Sequence, residues 1–202
     1  MSTSEEVAAV TVLRRPVHPV AEFQFGDTLS QRRRREKEDS VMSETASLPD
    51  LGGQVRPMIQ TLPVGVQPRI MATLERAAAE RYRTWAGPCP EPAQAEGLRA
   101  CAAREEKVAA RIEMAFRSEP DEQHHISGIL PKIAEAYRSA LAQRPVITQY
   151  EIQAAAERRG AAYWRTLASS IPDASVRDIL STCAELEERS AEFLEAIVNR
   201  HR

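Results

Sequence analysis

The sequence predicts an all-helical protein, an antiparallel four-helix bundle built from a duplicated helical hairpin. Three observations carry that prediction. From Pro68 onward Ala, Leu, Ile, Arg and Glu dominate, and apolar residues recur alternately three and four positions apart. Most prolines fall between these periodic runs or at their starts, and glycine is scarce inside them. The chain also matches itself at a shift of 82 positions with no gap.

The elements follow in order. Residues 1–60 hold no sustained apolar period and are broken by Pro16, Pro19, Pro49, Gly52 and Gly53, so they read as a flexible, poorly ordered arm. Val20 to Phe25 is the one apolar patch of that arm, and Arg32 to Arg35 form a basic run that Glu36, Glu38 and Asp39 neutralise at once. The bundle is expected over 66–202. Its first hairpin, 66–117, has a helix from about Val66 that ends at Gly87-Pro88, with Ile70, Leu74, Ala78 and Trp85 on one side. The second helix, Pro92 to Phe116, carries the stripe Leu98, Cys101, Glu105, Val108, Ile112 and Phe116, with a carboxylate inside an apolar row.

A crossover spans 118–146 and includes an extra helix from Ile129 to Leu141. The second hairpin, 148–200, is expected to start at Thr148 and Glu151, whose T-x-x-E spacing suits a capping box. Its first helix ends near Ala168. Its second follows Asp173, a candidate N-cap, with the stripe Val176, Leu180, Cys183, Glu187, Ser190, Leu194 and Ile197.

At the 82-residue shift Glu75-Arg76 falls on Glu157-Arg158, Arg83-Thr84 on Arg165-Thr166 and Pro90 on Pro172. Leu98 falls on Leu180, Cys101-Ala102 on Cys183-Ala184, Glu105-Glu106 on Glu187-Glu188 and Glu113 on Glu195. Two hairpins with one apolar stripe each bury both stripes by packing on one another. That packing would bring Glu75, Glu105, Glu157 and Glu187 together. A buried carboxylate needs a partner, and four of them at mid-bundle form the skeleton of a site for two hard divalent cations.

The run from Glu157 through Gly160, Tyr163, Trp164 and Ala168, followed by Glu187, Phe193 and Leu194, resembles the rubrerythrin branch of the ferritin-like superfamily. Its members carry an E-x-x-G-x-x-aromatic-aromatic motif on one helix and E-x-x-H on the next, and the resemblance covers about residues 68–198. It implies a di-metal site of iron or manganese held by Glu75, Glu105, Glu157 and Glu187, chemistry of iron oxidation or peroxide reduction, and homo-oligomerisation. The histidine of each E-x-x-H is replaced, by Val108 and by Ser190.

Two readings therefore stand side by side. In one, an all-carboxylate site still binds metal. In the other, the site is degenerate, no cofactor is bound, the glutamates pair with Arg76, Arg104, Arg111 or Arg158 or reach solvent, and the protein is a non-enzymatic helical scaffold. No catalytic residue is assigned.

Other classes are disfavoured. A formal net charge of -2 lacks the footprint of a nucleic-acid binder. No run approaches the roughly 18 apolar residues of a membrane span, and the N-terminus lacks the order of a signal peptide, so a cytoplasmic protein is expected. Cys89, Cys101 and Cys183 form no CxxC pair. Cys101 and Cys183 share the helix faces of Glu105 and Glu187 and read as apolar core residues, with zinc ligation or redox pairing as the alternative. His124 and His125 are adjacent and cannot face one ion from the same side of a helix.

Overall fold

The computed structural model describes residues 48–117 and 120–202, and these residues are almost entirely helical, with no strand among them. Six helices follow in order: α1 (Leu51–Gln60), α2 (Gln67–Ala86), α3 (Pro92–Ala115), α4 (Pro120–Leu141), α5 (Val146–Ser170) and α6 (Ala174–Arg200). Among the described residues no helix is long and apolar enough to cross a membrane.

Helices α2 and α3 pack along one another, as do α5 and α6, and α3 also packs against α6. Arg69 at the start of α2 donates to the carbonyls of Glu113 and Phe116 at the end of α3, 3.3 and 3.0 Å away, which fixes that pair as antiparallel. Pro92 sits in the first turn of α3, where a missing N–H costs nothing. Asp173 caps α6 as expected, its side chain accepting from the N–H groups of Ser175 and Val176.

Two ion pairs on the outside of each hairpin recur in register. Arg76 grips Glu113 through two nitrogens at 3.0 and 2.6 Å, and Arg158 grips Glu195 in the same way at 2.9 and 2.6 Å. Arg83 pairs with Glu106 and Arg165 with Glu188. Each partner lies 82 residues from its counterpart, so the sequence match extends to side-chain geometry.

The interior divides along the helix axes. One apolar cluster contains Tyr82, Trp85, Leu98, Cys101, Tyr150, Leu194 and Ile197. The other contains Val108, Ile112, Trp164, Leu180 and Cys183. On each of α2, α3, α5 and α6 a glutamate stands between the residues given to one cluster and those given to the other, which places a polar layer between two dry ones.

Three expectations are corrected. The stretch Leu51–Gln60, assigned to the poorly ordered arm, is helical: Asp50 caps it by accepting from the N–H of Gly53, and Leu51, Val55 and Ile59 are buried one turn apart. Those residues form a third apolar cluster with Val66, Ile70, Ile133 and Ile152, so burial of a short stripe outweighs Gly52, Gly53 and Pro57. Residues 1–47, including the Val20 to Phe25 patch and the Arg32 to Arg35 run, lie outside the described residues.

The crossover helix starts at Pro120 rather than Ile129, because proline opens a helix and only interrupts one from within. The expected capping box at Thr148 and Glu151 does not form. Helix α5 starts at Val146 behind Pro145 with no side-chain cap, and Glu151 instead pairs with Arg202 at 2.7 Å.

Candidate metal centre

Glu75, Glu105, Glu157 and Glu187 come one each from α2, α3, α5 and α6. Each offers a carboxylate oxygen, and these four atoms all lie within 4.8 Å of one another. The side chains are sealed from solvent, with Glu75 the most accessible at 7% and Glu105 fully buried. Hard divalent cations hold oxygens at about 2.0–2.6 Å, which puts opposite ligands about 4–5 Å apart, so the cluster has the dimensions of a cation shell.

Four ionised carboxylates cannot share this space unaided. At an effective dielectric near 20, two charges at this spacing repel by roughly 3–4 kcal/mol, and desolvation adds several more per ion. The protein's response is visible in the carboxyl acidities. Burial, and next the charge of Glu157, pushes Glu75 up to about 8. Burial and the neighbouring carboxylates hold Glu105 and Glu187 well above the usual carboxylate range. Without a cation the cluster retains protons, and a cation would replace them.

Outer side chains orient three of the four. Tyr82 Oη and Gln153 Nε2 both donate to Glu157 Oε1, at 2.8 and 2.6 Å. Trp164 Nε1 donates to Glu187 Oε1 at 3.2 Å. Ser190 Oγ donates to Glu105 Oε1 at 2.7 Å and accepts from Arg104 Nε at 3.1 Å. Fixing one oxygen of a carboxylate in this way is how proteins aim the other at a metal. Glu105 Oε2 is buried with no hydrogen-bond partner, a costly state that a cation or a proton would relieve. These residues therefore fit a hard, oxygen-binding cation.

Gly160 contributes by having no side chain. A Cβ there would stand 3.1 Å from the Glu187 carboxyl group, tighter than an ordinary contact, so the glycine leaves room for that carboxylate. At the equivalent position of the first hairpin Ala78 is accommodated.

The arginines considered as partners for the glutamates are engaged elsewhere. Arg76 binds Glu106 and Glu113, Arg158 binds Glu195, and Arg104 donates to Ser190 and to Cys101 Sγ. The charge of Arg111 is felt at the Cys183 thiol. The glutamates do not reach solvent either.

Burial pushes the thiols of Cys101 and Cys183 up to about 12, so both stay protonated and pack as small core side chains. Val108 is a core residue, and Ser190 is a hydrogen-bonding support. His124 and His125 are exposed on α4.

Sequence reasoning missed Gln153 as a support. Its spacing of four residues before Glu157 was the available signal. Tyr82 and Trp164 are fully buried and also donate polar hydrogens to the carboxylates.

Fold and site together define an all-helical protein with a buried four-glutamate cluster able to bind metal. Comparison with models of known protein families, with curated proteins and with solved structures finds no match to this chain.

Proposed function

We infer that this chain is a ferritin-like four-helix bundle in which Glu75, Glu105, Glu157 and Glu187 hold a pair of divalent cations, iron or manganese. The observation that carries the reading is the convergence of four buried carboxylates, one from each of four helices, within 4.8 Å. The unpartnered Glu105 Oε2 and the donors fixed on Glu105, Glu157 and Glu187 support it. Two dications balance four carboxylates in charge, and oxygen ligands suit hard metals.

Bound iron would supply electrons to dioxygen or peroxide, making ferrous oxidation or peroxide reduction the expected chemistry. The chain's own contribution is to bind, to orient through Tyr82, Gln153, Trp164 and Ser190, and to exclude water by the two apolar clusters on either side.

A second reading, a helical scaffold without metal, draws on the absence of a nitrogen ligand at Val108 and Ser190 and on the burial that raises the pKa of Glu75 and Glu105 and lets those carboxyls stay neutral. Elemental analysis of the purified protein separates the two. The first reading expects iron or manganese in the wild type and none in a variant with all four glutamates replaced by alanine. A folded, metal-free wild type that takes up neither metal on incubation supports the scaffold.

A further inference from the structure

The two hairpins treat their second-helix glutamates differently. Glu187 accepts from Trp164 within its own hairpin. Tyr82, which stands 82 residues before Trp164, reaches across to Glu157 instead. Glu105 is thereby left without an aromatic donor, and Ser190 takes that place from the opposite hairpin.

The direction of the Ser190 hydrogen bond is determined by its neighbour. A guanidinium can only donate, so with Arg104 Nε on the Ser190 oxygen at 3.1 Å, the single hydroxyl hydrogen is free to serve Glu105 Oε1 at 2.7 Å. Oε1 is pinned as an acceptor and Oε2 remains buried and unpartnered. The second nitrogen of the guanidinium is held by Cys101 Sγ at 3.0 Å, which anchors the arginine at both ends of its fork. No counterpart exists across the repeat, because the positions 82 residues from Arg104 and Ser190 are Leu186 and Val108.

We propose that Arg104 and Ser190 are positioning residues of the cation centre, a one-directional chain that holds Glu105 Oε1 and leaves Oε2 for the metal. Arg104 acts through Ser190, and Ser190 through Glu105. The proposal rests on the metal-binding reading given above.

Its test is a manganese(II) titration of the full chain, followed by calorimetry and by the electron paramagnetic resonance line shape of the bound ion. Ser190→Ala should weaken binding by about 10- to 100-fold, the usual effect of removing a support behind a ligand, and should alter the line shape. Ser190→Thr keeps the hydroxyl and should stay close to wild type. Arg104→Ala should weaken binding by about tenfold in the wild-type background and leave a Glu105→Gln background unchanged.

A folded Ser190→Ala protein that binds manganese like the wild type overturns the proposal, as does an equal loss in Ser190→Thr. Should Ser190→Ala not fold, unchanged affinity in Arg104→Ala overturns it. A wild type that binds no manganese while remaining folded overturns the metal-binding reading itself, which separates that failure from this one.

Discussion

Two ion pairs on the outside of each hairpin recur in register, whereas the hydrogen bonds to the inner glutamates do not. Outside, Arg76–Glu113 and Arg83–Glu106 recur as Arg158–Glu195 and Arg165–Glu188. Inside, the four glutamates recur but their supports diverge: tyrosine and glutamine on Glu157, tryptophan on Glu187, serine on Glu105. Solvated ion pairs tolerate a common pattern because each is nearly independent of its surroundings. A centre where four carboxylates meet has no room for duplicate supports on every member. The lesson is that shared geometry on the outside does not carry over to equivalent roles within.

The comparison can be strained most by truncating the paired core leucines. Leu98 and Leu180 occupy equivalent positions and are both fully buried. Leu98→Ala and Leu180→Ala should each cost about 2–5 kcal/mol in chemical denaturation. Costs that differ widely would show that the two halves are not equivalent even in their dry layers.

The pH dependence of the metal-free protein comes next. Glu75, Glu105 and Glu187 have folded-state pKa values raised above the ordinary carboxylate range, so the folded state keeps protons that the unfolded chain releases. Stability from this source is fully present below about pH 4.5. For Glu75 it declines by roughly 1.4 kcal/mol per pH unit as pH rises toward about 8. Thermal melts of metal-free protein should therefore fall across this window, and saturating manganese should flatten the fall. A melting temperature that rises with pH in the same window contradicts the assignment of buried, proton-retaining carboxyls.

Gly160→Ala isolates an inner difference. The substitution should add up to about 1 kcal/mol of helix stability if Glu187 yields, and at the same time weaken manganese binding, because the new methyl group crowds that carboxylate. The reciprocal change Ala78→Gly should lower stability by a similar amount and leave metal binding intact.

The smallest effect belongs to the outer pairs. Arg76 and Arg158 are about two-fifths exposed, so Arg76→Ala and Arg158→Ala should each cost no more than about 1 kcal/mol, and by similar amounts.

Much of this architecture is legible in the sequence because it depends on period and repetition. The stripes through Leu98 and Leu180, the breaks at Gly87-Pro88 and Pro172, and the cap at Asp173 are local features that burial only reinforces. The candidate site was legible for the same reason, as glutamates interrupting apolar rows. What escaped depended on tertiary context. Helix α1 hid behind two glycines and a proline, and its three buried residues form a stripe too short to register before Ile133 and Ile152 cover it. The crossover helix reads from Ile129 in the sequence, although a proline in the first turn starts a helix and Pro120 does so here. The reach of Tyr82 to Glu157, and of Ser190 to Glu105, spans 75 and 85 residues and follows from how the hairpins are rotated against each other, which no spacing rule encodes.

The central claim is that the glutamate cluster exchanges protons retained on Glu75, Glu105 and Glu187 for bound cations. Calorimetric titration of metal-free protein with manganese(II) near pH 7, repeated in buffers of different ionisation enthalpy, counts both ions bound and protons released. The account predicts saturable uptake with release of at least one proton, and loss of both in Glu157→Gln. A folded protein that takes up no ion, or one whose uptake survives Glu157→Gln undiminished, would contradict it.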